Sequence, residues 1–256
     1  MQSNNPVLSL SISAGYAENK PVLRDLILEV REREILGLAG SSGSGKSTLA
    51  LAIMRLLPPT CTLTGEANFN GVDLLSVSES KLRRIRGREI ALILQSPTAA
   101  LNPMLRIGTQ LREGWRAHKP GQGENEEIRR TLRCVSLPDE DAFLRRYASQ
   151  ISVGQGQRLL IAMALLHRPA FIIADEPTSA LDAVTQKEIL DLLRRCNERF
   201  GTAMLVISHD LRVLESICHR VAVLDAGHIV DCQAVDALRT SKHNLTKSLV
   251  HAAGRM

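Results

Sequence analysis

The stretch that decides the fold of this 256-residue chain is Gly40-Ser-Ser-Gly-Ser-Gly-Lys-Ser47. It fits the pattern G-x-x-x-x-G-K-[ST], in which glycines let the backbone wrap a polyphosphate so that successive N–H groups point at it. The apolar run Ile35 to Ala39 precedes the loop and predicts a buried strand, whereas Thr48 to Leu57 predicts a helix. A strand, a glycine turn and a positively polarised helix end together predict nucleotide binding.

Two residues of this loop have distinct predicted roles. Lys46 is expected to reach the β- and γ-phosphates, and Ser47 is expected to be a ligand of Mg²⁺. The predicted nucleotide contacts are Gly40, Ser41, Ser42, Gly43, Ser44, Gly45, Lys46, Ser47 and Thr48. The alternative, a chance glycine–serine connection between a strand and a helix, is disfavoured because both flanking elements are recognisable.

Composition narrows the class of protein. Five cysteines without a C-x-x-C spacing predict reduced thiols and argue against disulfides or structural zinc. We expect neither a signal peptide nor a membrane-spanning segment, because no apolar run approaches the ~18 residues that a bilayer requires. The net charge of +5 is dispersed and aromatic residues make up 3% of the chain, so a nucleic-acid surface is not expected. The one locally basic stretch, 81–88, is interpreted as a solvated helix face.

Periodicity predicts an α/β protein with an inserted helical region. The predicted strands are 8–13, 26–30, 66–69, 89–94, 171–174, 203–208 and 220–224, with tight turns at Asn70-Gly71 and Asp225-Ala-Gly227. Predicted helix signals are Pro58-Pro59 as the end of the helix after the loop, a capping box at Ser76–Glu79, and helices at 183–200 and after Asp210. Helix-compatible segments dominate from residue 96, with a polar break at Lys119–Asn125.

These elements define the expected architecture. We expect a single nucleotide-binding domain over residues 1–256, in which 1–95 and 161–256 form an ATPase core. This core would combine a parallel sheet with an antiparallel β subdomain. Residues 96–160 would form the helical lobe inserted into it.

Three side chains near predicted strand ends indicate hydrolysis. Asp175 follows the buried strand 171–174 and is placed to hold a metal, and Glu176 comes next, where a carboxylate can polarise a water molecule. His209 follows the strand 203–208, and parallel strands end at one edge of a sheet. A polar strand exit and an ordinary surface histidine are the alternative interpretations, and each would be preferred if the residues stood alone.

Taken in order, the motifs resemble those of the ATP-binding subunit of ABC transporters. The motifs are the phosphate loop, Gln95, Ile151-Ser-Val-Gly-Gln155, Phe171–Glu176, Ser179-Ala-Leu-Asp182 and His209. The resemblance covers nearly the whole chain, and the signature stretch 151–155 separates this family from kinases and GTPases. It implies an α/β P-loop ATPase that binds ATP and Mg²⁺ and pairs with a second ATPase subunit, identical or different.

The resemblance also implies roles for individual residues. Ser152 and Gly154 would contact the γ-phosphate held by the second subunit, so that the phosphate loop is half of a site, and Gln155 would also belong to the nucleotide-binding residues. Asp182 would lie at the dimer seam. Gln95 would link the nucleotide to the membrane-facing lobe and join Ser47 and Asp175 around the metal. Tyr16 would stack on adenine, unless it is an ordinary turn tyrosine.

Two positions depart from the family pattern L-S-G-G-Q followed by a basic residue. Val153 replaces the first glycine, and its β-branched side chain disfavours a positive φ. Gly156 replaces the basic residue and is expected to weaken the start of the following helix by up to ~1 kcal/mol. We expect ATP held by Lys46 to be hydrolysed competently and the opposite site, completed by this signature, to be slower.

Two further segments, 90–103 and 241–250, resemble the peptide and nickel importers of the family. The chain ends at Met256 without the cysteine-containing extension common in peptide importers, which slightly favours the nickel type. The implied partners are membrane permease subunits and, indirectly, an extracytoplasmic binding protein, which places the chain at the cytoplasmic face of the membrane. The alternatives are a non-transport ABC ATPase acting on nucleic acid or the ribosome, and a plain P-loop kinase.

Overall fold

The computed structural model describes residues 6–16, 20–119 and 123–254. The strands are β1 (Pro6–Tyr16), β2 (Lys20–Arg31), β3 (Ile35–Gly40), β4 (Cys61–Phe69), β5 (Val72–Asp73), β6 (Ile90–Ile93), β7 (Phe171–Asp175), β8 (Ala203–Ile207), β9 (Arg220–Asp225) and β10 (His228–Ala234). The helices are α1 (Lys46–Ile53), α2 (Glu79–Ile85), α3 (Pro97–Ala100), α4 (Ile107–Arg116), α5 (Glu124–Cys134), α6 (Asp141–Leu144), α7 (Val153–Leu165), α8 (Ala183–Phe200), α9 (Leu211–Ile217) and α10 (Asn244–Ala253), with 3₁₀ turns at Ala148–Gln150 and Val235–Thr240. Within these ranges, no helix is both long and apolar enough to cross a membrane.

The larger sheet has the order β10-β9-β3-β8-β7-β6 in the described chain. Every neighbouring pair from β9 to β6 is parallel, and β10 pairs antiparallel at the edge. All side chains of β3 and β8 are buried, as expected for strands that are covered on both faces. Asp175 pairs in register with Ile207, and Leu38 pairs with the same residue, so β3, β7 and β8 end at one edge. The predicted α/β class with a parallel sheet is confirmed.

Side chains alternate along β3 between two apolar clusters. Leu36 and Leu38 pack with α1 and with the second sheet, whose strand order is β2-β1-β4-β5 among the described residues. The pairs of this second sheet are antiparallel, and the predicted turn at Asn70-Gly71 joins β4 to β5 with φ values of 48° and 80°. The predicted antiparallel β region therefore covers one face of the parallel sheet, with α1 packed in the same apolar layer.

The other face is covered by helices. Ile35 and Ala39 belong to this second cluster together with residues of α4, α5, α7, α8 and α9. The segment between β6 and β7 contains α3 to α7, in agreement with the predicted helical region, and α7 crosses the predicted boundary at residue 160. The predicted polar break at Lys119–Asn125 lies partly outside the described residues, since 120–122 are not described.

Two predicted helix signals are wrong. Helix α1 ends at Ile53, before Pro58-Pro59, because Arg55 adopts a left-handed φ of 47° and the chain turns there. The cap of α2 is Ser78, whose hydroxyl accepts a hydrogen bond from Lys81 N at 3.4 Å, whereas Ser76 bonds to the Asp73 carbonyl. Both serines fit a cap locally, and the turn after β5 decides which of them lies at the helix start.

The segment Val22–Leu23 of β2 is held between two glycine turns. An added Cβ at Gly45, in the phosphate loop, would lie 3.2 Å from the Val22 carbonyl oxygen and 2.9 Å from a Leu23 methyl carbon. An added Cβ at Gly227, between β9 and β10, would lie 2.4 Å from the same oxygen, while the Gly227 carbonyl accepts a hydrogen bond from Arg24 N at 2.9 Å. The phosphate loop is therefore positioned by contacts that reach the far edge of the parallel sheet.

We predict that Gly227→Ala destabilises the protein more than Gly71→Ala. Both glycines have a positive φ, of 88° and 80°, so alanine costs roughly 1–2 kcal/mol at either position. Only Gly227 would also place its Cβ against backbone, because nothing lies within 4 Å of a Cβ at Gly71. Urea denaturation of the two variants measures the difference, and equal losses would contradict the close approach at Gly227.

Candidate functional site

A cavity of about 660 Å³ opens at the carboxyl edge of the parallel sheet. Its lining residues are Val22, Ser42, Gly43, Gly45, Lys46, Ser47, Thr48, Gln95, Glu176 and His209. These residues follow β3, β6, β7 and β8, with one contribution from β2. Val22 is the lining residue that the sequence analysis missed, because no motif marks it and only the packing of β2 on the phosphate loop brings it there.

Lys46, the first residue of α1, is held by its own loop. Its Nζ donates to the carbonyl oxygens of Gly40 and Ser41, both at 2.8 Å. Burial lowers the pKa of Lys46, and the nearby carboxylates of Glu176 and Asp175 oppose that effect. An ammonium group has three donors, so one N–H remains to bind a phosphate oxygen. Ser44 is buried beside this site, and its hydroxyl oxygen has no partner in the described chain.

Asp175 and Ser47 fit a hard divalent cation. Asp175 ends β7, and its Oδ1 is buried without a hydrogen-bond partner among the described residues. Burial raises the pKa of Asp175, and a hydrogen bond with Ser47 is the main opposing effect. Mg²⁺ prefers oxygen ligands such as carboxylates and keeps water molecules in its shell. A buried, unpaired carboxylate oxygen beside a hydroxyl therefore suits Mg²⁺, and Gln95 lines the same cavity.

Glu176 is placed by an uncommon backbone conformation. Its φ is 46°, in the left-handed region that few residues other than glycine adopt, and its N–H donates to Ile207 O at 3.0 Å. Such strain is found at functional sites when the surrounding structure enforces it. Here the strained residue lies where β7 ends, and its carboxylate contacts His209 after β8 and Gln95 after β6.

Two side chains bind the carboxylate of Glu176. His209 Nδ1 lies 2.9 Å from Oε1, and Gln95 Nε2 lies 3.4 Å from Oε2 and 3.1 Å from Ser179 Oγ. Because an ionised carboxylate only accepts hydrogen bonds, His209 Nδ1 carries the hydrogen in this arrangement. The structure thus brings together three residues that the sequence analysis predicted from separate motifs.

The signature residues lie outside this cavity. Ser152 caps α7, accepting from Gln155 N at 3.2 Å, and the Gln155 side chain accepts from Ser152 N at 3.2 Å. Val153 is the first residue of α7, is 50% exposed and has no positive φ, as expected for a β-branched residue. Ser152 and Val153 are exposed, so the start of α7 faces solvent, and its predicted contact with the partner's nucleotide stays a prediction.

Asp182 lies next to this signature end. It caps α8 by accepting hydrogen bonds from Val184 N and Thr185 N at 3.0 Å, and hydrogen bonds, those of Thr185 above all, lower its pKa. An added Cβ at Gly154 would lie 2.9 Å from Thr185 Cγ2, so the two helix starts are in close contact. Tyr16 ends β1, is 42% exposed and is not among the residues that line the cavity. Its predicted contact with adenine stays a prediction.

Gly156 has a packing role that the sequence analysis did not predict. An added Cβ would lie 2.9 Å from Pro97 Cβ, so α7 approaches α3 more closely than a side chain at residue 156 allows. Pro97 follows Gln95 by two residues. Glycine at residue 156 therefore allows the signature helix α7 to pack closely against the segment that carries Gln95.

We predict that Gly156→Ala destabilises the protein although alanine favours helices. Steric overlap with Pro97 should cost about 1–3 kcal/mol, which exceeds the gain in helix propensity of at most ~1 kcal/mol. Gly114→Ala in α4 is the control, because its Cβ would meet only a movable Leu166 methyl at 3.3 Å. Denaturation midpoints compare the two variants, and stabilisation by Gly156→Ala would show that α3 moves away freely.

Comparison with known proteins shows which family this chain resembles. A family model described as ABC transporter matches residues 23–179. The chain is 39% identical over 237 residues to the oligopeptide transport ATP-binding protein OppD of Escherichia coli, covering 91% of this chain and 70% of that protein. It is 38% identical to the probable D,D-dipeptide transport ATP-binding protein DdpD of the same organism, with 93% and 74% covered.

A solved structure agrees with this assignment. The dimeric post-hydrolysis state of the ATP-binding cassette MJ0796, bound to ADP and Pi, has a TM-score of 0.77 and 29% identity. The match covers 89% of this chain and 98% of that cassette. Since the family model spans more than half of the chain and the fold agrees, the chain belongs to the ABC transporter family and is an ATP-binding ATPase of that family.

Proposed function

We propose that this chain is the ATP-hydrolysing subunit of an importer for short peptides. The observation that supports ATP hydrolysis is the position of Glu176, which is held by His209 and Gln95 in the cavity that also contains Lys46. A carboxylate fixed from two sides beside a phosphate-binding loop can accept the proton of an attacking water molecule. A kinase would instead present an acceptor substrate to the phosphate.

Each residue then has a defined task in hydrolysis. The loop N–H groups and Lys46 bind the phosphates, and Glu176 accepts the proton of the water molecule as it attacks the γ-phosphorus. The bond from the γ-phosphorus to the β–γ bridging oxygen breaks, and ADP leaves with that oxygen. His209 donates to Glu176 Oε1 and Gln95 Nε2 contacts Oε2, so these two side chains hold the carboxylate that would accept the proton. When bound, Mg²⁺ neutralises phosphate charge, and Ser47 and Asp175 would hold it.

We predict that Glu176→Gln binds ATP but hydrolyses it at least about 10²-fold more slowly, since an amide cannot accept the proton. The variant preserves the side-chain shape at a strained backbone position, so folding and binding should be retained. Glu29→Gln, on the exposed side of β2, is the matched control and should keep wild-type turnover. Phosphate release and equilibrium ATP binding are measured separately. Wild-type turnover by Glu176→Gln would remove Glu176 as the base.

We also propose that the active form contains two ATPase subunits. Ser152, Gly154 and Gln155 lie at a helix end that does not line this chain's own cavity, beside Asp182. The signature would therefore serve ATP bound by the partner, and the exposed Val153 would contact that site. Residues 1–95 and 161–256 would form the ATPase core, and 96–160 the helical lobe that faces the permease. Closure on ATP and release after hydrolysis would drive the permease subunits.

The cargo follows from the relatives and not from this chain's own site. OppD is named as an oligopeptide transport protein and DdpD as a probable D,D-dipeptide transport protein, which favours short peptides over nickel as the cargo. We place the subunit peripherally at the cytoplasmic face of the membrane, bound to permease subunits that receive cargo from an extracytoplasmic binding protein. Purification of these subunits with the chain would provide the complex for a transport assay.

We predict that this reconstituted complex imports a di- or oligopeptide in an ATP-dependent manner and does not accumulate nickel. Both cargoes are offered with the cognate binding protein in proteoliposomes. The Glu176→Gln complex is the control and should transport neither cargo. Uptake of nickel alone would contradict the peptide proposal and leave the ATPase assignment intact.

A further inference from the structure

The C-terminal segment 241–250 has a buried polar centre. Asp231 of β10 accepts hydrogen bonds through Oδ2 from Ser241 Oγ at 2.6 Å and from Thr246 Oγ1 at 2.7 Å. Thr246 is fully buried, and Ser241 is 4% exposed. We refer to Asp231, Ser241 and Thr246 as the Asp231 clasp. It joins the edge strand of the parallel sheet to the first turn of α10.

The clasp fixes the start of α10 in more than one way. Ser241 Oγ also accepts from His243 N at 3.1 Å, and Gln233 Nε2 donates to Asp231 Oδ1 at 2.8 Å. Burial opposes ionisation of Asp231, yet the bonds from Ser241, Thr246 and Gln233 together lower its pKa. An ionised acceptor makes stronger hydrogen bonds than a neutral one, so the helix start is held firmly.

The other end of α10 lies against the segment that carries His209. Leu249, Ala252 and Ala253 of α10 line a cavity of about 260 Å³ together with residues 209–212. Asp210 caps α9 by accepting from Arg212 N at 2.9 Å and pairs with the Arg212 guanidinium at 2.7 Å. Helix α10 therefore lies across this small cavity from the short connection between β8 and α9.

His209 depends on this connection for its position. Its side chain is 62% exposed, and Nδ1 makes a 2.9 Å hydrogen bond to Glu176 Oε1. An exposed ring is not immobilised by packing, so the backbone at 208–212 must determine where Nδ1 lies. The backbone is held by Asp210 N, which donates to Ser208 Oγ at 3.0 Å, and by the helices on either side.

We infer that the Asp231 clasp is a positioning element for His209. By fixing α10 against the β8–α9 connection, it keeps His209 Nδ1 within hydrogen-bond distance of Glu176 Oε1. This inference rests on the proposed roles of Glu176 and His209 in hydrolysis. It assigns a task to the segment 241–250, which the nucleotide site itself does not use.

Thr246→Val tests the inference, because valine keeps the shape of threonine and removes the hydrogen bond to Asp231. We expect kcat to fall about three- to tenfold with an unchanged KM for ATP, which corresponds to a small loss of transition-state stabilisation. Thr246→Ser restores a hydroxyl and should recover activity. Thr240→Val is the matched control, since its exposed hydroxyl donates to Ala237 O at 2.9 Å within its own 3₁₀ turn, away from Asp231. Ser241→Ala, which removes the other donor, replaces Thr246→Val if that variant does not fold.

A double-mutant cycle separates positioning from general destabilisation. If the clasp acts through His209, Thr246→Val should have no further effect on kcat when combined with His209→Ala. Multiplicative losses in the double variant would overturn the inference, as would a changed KM with an unchanged kcat.

A spectroscopic measurement distinguishes failure of the inference from failure of the proposed function. The imidazole NMR signals of His209, identified by their absence in His209→Ala, should shift in Thr246→Val and not in Thr240→Val, without nucleotide present. If the His209 signal does not shift in a folded Thr246→Val variant, the inference that the Asp231 clasp positions His209 is wrong. Absence of ATP hydrolysis by the wild-type protein would instead overturn the proposed function, while the His209 signal would still report on the clasp.

Discussion

The site depends on the parallel pairing of four neighbouring strands, β3, β8, β7 and β6. Because parallel strands point the same way, their carboxyl ends meet at one edge of the sheet. The phosphate loop, His209, Glu176 and Gln95 each follow one of these ends. A shift of one residue between β7 and β8 would move Glu176 away from Ile207 O, to which its strained backbone is bonded.

Much of this arrangement could be predicted from the sequence, since it comes from local patterns. The phosphate loop, the buried strand before Asp175 and the limits of α8 at 183–200 are all recognisable from consecutive residues. The features that were missed depend on residues distant in the chain. Val22 lies in the site only because β2 packs on Gly45, and the left-handed φ of Glu176 arises from a bond to β8.

Gly156 illustrates the same limit. Helix propensity alone describes it as a weak point at the start of α7, whereas the contact with Pro97 shows that the absence of a side chain permits close packing. A substitution that looks unfavourable in one element thus favours the contact between two. The signature helix and the Gln95 segment form a joined unit, so a displacement of one is expected to move the other.

The hydrogen bonds from Lys46 to the Gly40 and Ser41 carbonyls have a thermodynamic consequence. They tie the loop carbonyls to the first residue of α1 and so restrict the backbone freedom of the loop. Ordering a flexible segment on binding costs conformational entropy, and a loop that is already ordered avoids most of that cost. More of the interaction energy with phosphate then remains available as affinity, which suits a subunit that must rebind ATP in every cycle.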